Sequence, residues 1–401
     1  MKKIFTAICA TLSAVCLFGC TPQEPTTTLP LKGKQYLFYT FGVPVYTAIY
    51  AYYDDEAEAA KADETVKDLQ KLFAEVEDSL SASIDGSSVC RFNEAEAGAT
   101  VEIDATAYEV LSIAKEMYAL TEGAYNPAVG NSVDLWGFTP RFNEDDYEPT
   151  MPYDREYDEE TKFVSLPDET YVEAFRTLCD FSKVEAWEDG GKYYMQKPED
   201  SVTLEGVTYT MRLDLGGIGK GYAADRGAEL LKERGYTRGY LNVGTSSLAL
   251  MESASEETDH AWNLGFRHPR GDGNYISMLI KDECVSSSGD YENYYEYDGT
   301  RYCHIIDPFT GKPIAEDVVT ATVLGLSAAQ ADAVSTALCV MGTERAIEFI
   351  NEQLSDKTVV FVRRADEGKF EIVTNAEQYT LIEQSYRVAS RVVDGVLEYV
   401  E

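Results

Sequence analysis

Three stretches of the sequence carry side chains that could act on an anionic ligand. The first, Leu213 to Arg226, reads LDLGGIGKGYAADR and follows a strand-like run. Glycines let the backbone approach a ligand closely, and a junction between a strand and a helix presents unpaired N–H groups. The stretch therefore suggests a phosphate-bearing ligand, although a tight turn whose glycines serve packing alone would give the same pattern.

Two known phosphate-binding loops can be tested against this stretch. A P-loop needs glycine and Ser or Thr at the positions that Asp214 and Gly221 occupy. A dinucleotide fingerprint matches Gly217 and Gly219, but Tyr222 stands where the third glycine should be. A phosphate site here would therefore belong to neither family of loops.

The second stretch places oxygen ligands on a predicted helix that begins at Ser327. Asp332 and Thr336 are four residues apart and share a helix face, with Ser335 beside them. Carboxylate and hydroxyl oxygens suit Mg²⁺, which water and substrate phosphate would complete. The alternative is a solvated helix surface with local hydrogen bonds.

The third stretch contains His304, inside an apolar run and next to an Asp-Pro turn at Asp307. A histidine at a strand end could act as a general base, and a buried histidine with its hydrogen bonds satisfied is the alternative. A further run, Ser286 to Tyr291, is small and polar and could line a phosphate or a ring, or could simply be a loop.

Apolar periodicity and turn residues predict the elements that would position these groups. Helices are predicted over Glu56–Leu80, Ala105–Leu120, Asp168–Cys179, Gly221–Gly235 and Ser327–Met341, with a short one from Thr343. Strands are predicted within Tyr36–Tyr53, Tyr193–Leu215, Tyr240–Leu250, Trp262–Arg267, Tyr275–Lys281, Arg301–Ile306 and Val359–Val373. We expect the strands from Tyr240 to Ile306 to share one mixed sheet. Residues 138–166 read as a long acidic surface loop.

The charge of the chain restricts its partners. Among 401 residues, 70 acidic side chains face 34 basic ones, so the formal net charge is −36. Such a surface repels nucleic acid and anionic lipid headgroups. Nucleic acid is therefore not an expected partner, whereas a small anionic ligand needs only a local cationic or metal site.

The N-terminus resembles a bacterial lipoprotein signal. Lys2 and Lys3 precede an apolar run from Ile4 to Phe18, and Gly19 precedes Cys20. We expect residues 1–19 to be removed, Cys20 to carry lipid, and residues 20–35 to form a Pro/Thr tether. The protein would then be lipid-anchored on the extracytoplasmic face of a bacterial cell membrane. A plain secretory signal is the alternative.

Five ordered motifs between about Tyr39 and Val362 resemble the ApbE family, the FAD:protein FMN transferases. They are GAYNPAVG with DLWGF, LDLGGIGKGYAADR, SSGDY, HIIDPFTGKP and ADAVSTAL. The resemblance implies an α+β fold, a single mixed α/β domain over residues 36–375 with FAD in a cleft between two halves. Residues 376–401 would be an extension without assignment. It also implies a Mg²⁺-dependent reaction that moves FMN from FAD to a Ser or Thr of a target protein and releases AMP.

The resemblance also implies roles for individual residues. His304 would be the catalytic base, and a Mg²⁺ ion would be bound by Gly217, through its carbonyl, and by Asp332, Ser335 and Thr336. Residues implied to contact FAD are Phe41, Ser81, Ala82, Ser83, Ala124, Tyr125, Asn126, Asp214, Lys220 and Ile306. The acceptor would be a protein with a Ser/Thr flavinylation site, in the family an extracytoplasmic electron-transfer subunit.

The sequence departs from the usual family pattern in three places. Thr245 and Ser246 replace a glycine and an amide or acid, Ser83 stands where an aromatic residue is common, and Ser287 replaces a threonine. Two other functions stay open at this point. With water as acceptor the same site would be an FAD pyrophosphatase, and without catalysis the protein would be a flavin-binding lipoprotein.

Overall fold

The computed structural model describes residues 32–51, 56–139, 157–158, 163–164 and 166–400. The predicted signal segment, Cys20, most of the predicted tether and most of the predicted acidic loop lie outside the described residues. Within them, no helix combines the length and the apolar character that a membrane crossing requires.

Seven α-helices occur in the described part of the chain. They are α1 (Glu56–Leu80), α2 (Ser88–Glu94), α3 (Ala105–Leu120), α4 (Gly130–Leu135), α5 (Glu169–Arg176), α6 (Gly216–Glu233) and α7 (Ala328–Gln353).

The strands are short, and most of them pair antiparallel. They are β1 (Lys32–Thr40), β2 (Val43–Ala51), β3 (Thr100–Ile103), β4 (Tyr157–Asp158), β5 (Phe163–Val164), β6 (Glu185–Asp189), β7 (Lys192–Gln196), β8 (Ser201–Leu204), β9 (Val207–Thr210), β10 (Gly239–Val243), β11 (Ser247–Leu250), β12 (Trp262–Arg267), β13 (Asn274–Ile280), β14 (Cys284–Gly289), β15 (Tyr294–Tyr297), β16 (Thr300–Cys303), β17 (Ile306–Asp307), β18 (Lys312–Pro313), β19 (Val318–Leu324), β20 (Thr358–Arg364), β21 (Phe370–Thr374), β22 (Thr380–Leu381), β23 (Arg387–Val388), β24 (Ser390–Val393) and β25 (Val396–Tyr399).

A nine-stranded sheet forms the centre of the molecule, with the strand order β1-β2-β10-β11-β14-β19-β20-β21-β23. Its neighbours pair antiparallel except for β21 and β23, which are parallel. Helices α1, α3, α6 and α7 contribute to the apolar core on one face of this sheet, and β12 and β13 cover residues of the other face. Mixed α+β architecture is thus confirmed.

The expectation of one sheet from Tyr240 to Ile306 is wrong. Strand β12 pairs with β13, and β13 also pairs with β22, while β16 pairs with β15. Apolar alternation identifies a strand but not its partner, because the partner is chosen by burial against distant residues. The run Ser286 to Gly289 is likewise a strand, β14, inside the large sheet.

Helix α7 changes direction at Gly342, which has a φ of 70° and a ψ of 175°. Asp317 then stabilises the second half of the helix, because its carboxylate accepts hydrogen bonds from the Thr343 amide (2.9 Å) and hydroxyl (2.7 Å). The break predicted between Met341 and Thr343 is therefore confirmed. At the start of α7, Ser327 and Gln330 form a capping box.

The helix predicted from Gly221 begins earlier than expected. Helix α6 starts at Gly216, so the four glycines of the motif lie in its first turns rather than in a loop before it. Residues from Thr380 on, which the sequence left without assignment, form β22 to β25. Leu397 of β25 is buried in the main core and exchanges two hydrogen bonds with Asn351 of α7.

Candidate active site

Helices α6 and α7 touch through their backbones at Gly221. A Cβ placed on Gly221 would lie 2.2 Å from the carbonyl oxygen of Ala328, so no other residue fits there. One turn later, the Asp225 carboxylate accepts hydrogen bonds from the amides of Ala328 (2.8 Å) and Ala329 (2.9 Å). Helix α6 therefore fixes the N-terminus of α7, and at least one motif glycine serves packing.

Asp332, on α7, is buried and held from two sides. Its Oδ2 accepts a hydrogen bond of 3.2 Å from the Gly221 amide, and its Oδ1 accepts one of 3.4 Å from the Ser286 hydroxyl. The Ser247 hydroxyl lies 2.9 Å from that of Ser286 and extends this support. Burial raises the pKa of Asp332, and the positive charge of Lys220 opposes that rise.

The hydroxyls of Ser335 and Thr336 lie beside Asp332. Both donate hydrogen bonds of 3.0 Å to the Asp332 carbonyl, and the Ser288 hydroxyl lies 2.8 Å from Ser335 Oγ and 3.0 Å from Thr336 Oγ1. A Cβ placed on Gly217 would lie 3.4 Å from Thr336 Oγ1. The four residues implied to bind the metal thus converge, although they come from two helices.

Asp214 and Lys220 organise the first turn of α6. The Asp214 carboxylate accepts a hydrogen bond of 2.7 Å from the Gly216 amide, and Lys220 donates one of 2.9 Å to the Gly216 carbonyl. Burial raises the pKa of Asp214. The backbone before Asp214 is clamped by Asn93, whose side chain accepts a hydrogen bond from the Leu213 amide (2.7 Å) and donates one to its carbonyl (3.0 Å).

Asn93 and Asp225 are positioning residues that the sequence did not identify. Each acts on backbone groups far away in sequence, and neither has a recognisable spacing to its partner. Asp225 lies inside the glycine-rich motif, which is the one signal that could have drawn attention to it.

Tyr125 enters the same site from the segment after α3. Its side chain is buried, and among the described residues its hydroxyl has no hydrogen-bond partner. The ring carbon Cε2 would lie 3.5 Å from a Cβ on Gly217. Burial, followed by the negative charges of Asp332 and Asp214, raises the pKa of Tyr125 well above its ordinary value, so the phenol stays neutral.

His304 lies between β16 and β17 and is held by Asn293. The His304 amide donates a hydrogen bond of 2.9 Å to the Asn293 carbonyl, and Nδ1 lies 3.2 Å from the same oxygen. A carbonyl only accepts, so Nδ1 carries the proton and Nε2 keeps its lone pair. Desolvation, helped by the charge of Lys220, lowers the pKa of His304 to about 4. The imidazole is therefore neutral at neutral pH.

The remaining predicted residues lie around this centre. Asn126 is already engaged, since its side chain donates to the Cys179 carbonyl and accepts from the Ala128 amide; its neighbour Ala124 is buried in the core. Ile306 is buried in a separate apolar cluster that includes Trp136.

Phe41 and the residues 81–83 lie at the ends of β1 and α1. Phe41 lies in the turn after β1. The preceding residue, Thr40, connects β1 to α1, because its hydroxyl donates a hydrogen bond of 2.7 Å to the Glu77 carboxylate. The Ser81 hydroxyl accepts from the Ser83 amide, and Ala82 packs on the core. Leu80, just before them, approaches α6 at Gly219, where a Cβ would lie 3.6 Å from it.

The residues present fit a magnesium ion. Asp332 is 2% exposed, and no Lys or Arg of the described chain lies within ion-pair distance of its carboxylate. A buried carboxylate without a direct ion-pair partner is costly. Hydroxyl oxygens of Ser286, Ser335 and Thr336 lie around it, and hard oxygen donors of this kind suit Mg²⁺.

Comparisons with known proteins identify the family of this chain. The sequence profile of the ApbE family matches residues 41–361. FAD:protein FMN transferases from Treponema pallidum and Klebsiella pneumoniae are 30% and 29% identical, covering 73% and 85% of this chain and 76% and 88% of those proteins. The solved flavin transferase ApbE from Vibrio cholerae is similar in fold, with a TM-score of 0.67 at 24% identity over 86% of this chain and 98% of that one. With the family profile covering most of its length, this chain belongs to the ApbE family.

Proposed function

We propose that the protein is an FAD:protein FMN transferase that attaches FMN from FAD to a Ser or Thr hydroxyl of an acceptor protein and releases AMP. The family membership supports this activity, and one observation connects the activity to the described site. The charge of Lys220 acts both on the buried carboxylate of Asp332 and on the neutral imidazole of His304. A cation, a candidate metal ligand and a candidate base are therefore neighbours.

The diphosphate of FAD would meet positive potential at the start of α6. Lys220 supplies a full charge, and the helix N-terminus adds the partial charge of its amides. We propose that Asp332, Ser335, Thr336 and the Gly217 carbonyl hold Mg²⁺. When bound there, the ion would neutralise negative charge on the phosphoryl oxygens.

His304 would activate the acceptor. The acceptor hydroxyl oxygen forms a bond to the phosphorus of the FMN half, and its proton passes to Nε2 of His304. The bond from this phosphorus to the bridging oxygen breaks, and AMP leaves with that oxygen. Because Nδ1–H is held by the Asn293 carbonyl, the lone pair of Nε2 is the one free to take the proton.

The acceptor and the location are proposed from the sequence. An acceptor carrying a Ser/Thr flavinylation site, in an extracytoplasmic electron-transfer subunit, is the family expectation. The basic and apolar N-terminus, followed by Cys20 and a Pro/Thr segment, supports a lipid anchor on the outer face of the cell membrane.

The test is to mix the purified protein with FAD, Mg²⁺ and a candidate acceptor domain, and to measure flavin fluorescence on the denatured acceptor. We expect a fluorescent acceptor and an equal amount of AMP. Free FMN with a dark acceptor would favour the pyrophosphatase, and the absence of both FMN and AMP would favour a flavin-binding protein.

Two variants test the assigned roles in this assay. His304→Ala should keep FAD binding and lose transfer, whereas loss of binding would indicate a structural histidine. Asp332→Ala should lose the metal-dependent turnover, and an unaffected variant would contradict the metal assignment.

A further inference from the structure

Lys197, directly after β7, is a charged residue that lies entirely inside the protein. Its side chain is 0% exposed, and no carboxylate of the described chain lies within ion-pair distance of its Nζ atom. Burial, followed by the positive charge of Arg212, lowers the pKa of Lys197 to about 8, so the ammonium is still mostly protonated at neutral pH. A buried ammonium without a carboxylate is costly unless other polar groups replace water around it.

Three backbone carbonyls at the end of α2 surround this ammonium. Its Nζ atom donates hydrogen bonds to the carbonyls of Phe92 (2.9 Å), Asn93 (3.0 Å) and Ala95 (2.8 Å). The last carbonyls of a helix carry the negative end of its dipole and favour a cation. The Lys197 amide in turn donates a hydrogen bond of 2.9 Å to the Ala99 carbonyl. One side chain, itself on a fixed backbone, therefore holds the end of α2 in place.

Asn93 connects this end of α2 to the candidate active site. Its side chain accepts a hydrogen bond of 2.7 Å from the Leu213 amide and donates one of 3.0 Å to the Leu213 carbonyl. Asn93 is 9% exposed and Leu213 is 0% exposed, so water hardly reaches these bonds. The next residue is Asp214, whose carboxylate accepts the Gly216 amide in the first turn of α6. Two consecutive sets of hydrogen bonds therefore lead from Lys197 to the start of α6.

We propose that Lys197 is a positioning residue for the diphosphate of FAD, because it fixes the end of α2 so that Asn93 holds Leu213 and Asp214 where α6 begins. The inference rests on the proposed function for the identity of the ligand. Lys197 does not contact the ligand, since its N–H groups are engaged by the three carbonyls. The alternative is a residue that stabilises α2 and has no effect on the site.

The first test is hydrogen–deuterium exchange in the ligand-free protein. Lys197→Met removes the ammonium, and the Leu213 amide should then exchange about ten-fold faster relative to the amides of β20, because its acceptor on Asn93 is no longer held. The control is Ile276→Val, which trims a buried side chain in the apolar cluster on the opposite face of the large sheet. It reports the effect of lost stability alone.

The second test is calorimetry with FAD and Mg²⁺ in the absence of an acceptor, which gives the Kd and the number of sites separately. Lys197→Met should raise the Kd about ten-fold without lowering the number of sites, whereas lost stability alone would lower the number of sites and leave the Kd. Asn93→Ala should have a similar effect. The double variant should bind no more weakly than Asn93→Ala, because both residues act through the same bonds.

Ile276→Val should keep the wild-type Kd. If Lys197→Met does not fold, Lys197→Gln, which keeps an amide donor but no charge, takes its place in both tests.

Four results would overturn the inference. Equal relative exchange of Leu213 in Lys197→Met and Ile276→Val would overturn it whatever the ligand is. An unchanged Kd in Lys197→Met, beside a wild type that binds FAD, would show that the site does not depend on this lysine. Additive losses in the double variant would show that Lys197 does not act through Asn93. A wild type that binds no FAD would overturn the proposed function, and with it the role of Lys197 in FAD binding, even where the exchange results link Lys197 to Leu213.

Discussion

The amide of Gly221 donates a hydrogen bond of 3.2 Å to Oδ2 of Asp332. Through this bond the glycine-rich helix α6 orients the carboxylate of α7. In a regular helix the same amide would donate a hydrogen bond to the carbonyl of Gly217, which is itself a candidate metal ligand. The geometry of the two proposed metal ligands is therefore linked by one N–H group.

Replacing Gly221 by alanine should separate the two helices. The new Cβ would lie 2.2 Å from the Ala328 carbonyl oxygen, so we expect a loss of about 3 kcal/mol in the free energy of unfolding. Gly219→Ala is the control, because its Cβ would make only an ordinary contact of 3.6 Å with Leu80. Urea denaturation measures both, and equal stabilities would contradict the packing role of Gly221.

Removal of the Asp225 carboxylate should loosen the start of α7. Asp225→Ala leaves the amides of Ala328 and Ala329 without their acceptor, which should cost about 2 kcal/mol of stability. Asp225→Asn keeps one side-chain acceptor and should lose less. Chemical denaturation measures the free energy of unfolding of the three proteins. Equal values for Asp225→Ala and the wild type would contradict the stabilising role of Asp225 at the start of α7.

His304 should stay unprotonated well below neutral pH. With a pKa of about 4, the imidazole would be about 3% protonated at pH 5.5, against about 90% for an ordinary histidine. The chain has only three histidines, so NMR can follow each ring, with His304→Gln assigning the signal. A midpoint near 6.5 for that signal would rule out the desolvated environment.

The turn between β10 and β11 contains a conformation that favours glycine. Thr245 has a φ of 60°, which a β-branched residue adopts at a cost. Thr245→Gly should therefore raise the free energy of unfolding by about 1 kcal/mol. Thr245→Ala keeps a Cβ and should gain less. A destabilised glycine variant, seen by urea denaturation, would show that the Thr245 side chain makes a compensating contact.

Local signals predicted the helices well. The bounds of α1 and α3 and the break in α7 were predicted correctly because apolar period, capping residues and glycine act within a few residues of one another. The same period placed Asp332, Ser335 and Thr336 together. The start of α6 was missed because its glycines are typical of a loop, and it is the packing on Ala328 and the Asp214 carboxylate that make this stretch helical.

Relations between distant residues could not be predicted. The sequence around Trp262–Arg267 does not show that this strand belongs to the three-stranded sheet of β12, β13 and β22 rather than to the large sheet. The support of Asp332 by Ser286 also depends on which strand lies under α7. The ligand roles of His304, Lys220 and the metal-binding residues stay predictions, although the structure brings their side chains to one place.

The site combines Tyr125, the first turn of α6 and the first turns of α7, which lie far apart in the chain. Because its contacts join residues that are distant in sequence, such a site has a high contact order, and the long chain segments between these residues must close before the contacts form. During synthesis, the chain would present most of its sheet before any part of α7 exists. We therefore expect fragments that end before α7 to have no affinity for flavin, and binding competence to arise as one of the last events of folding.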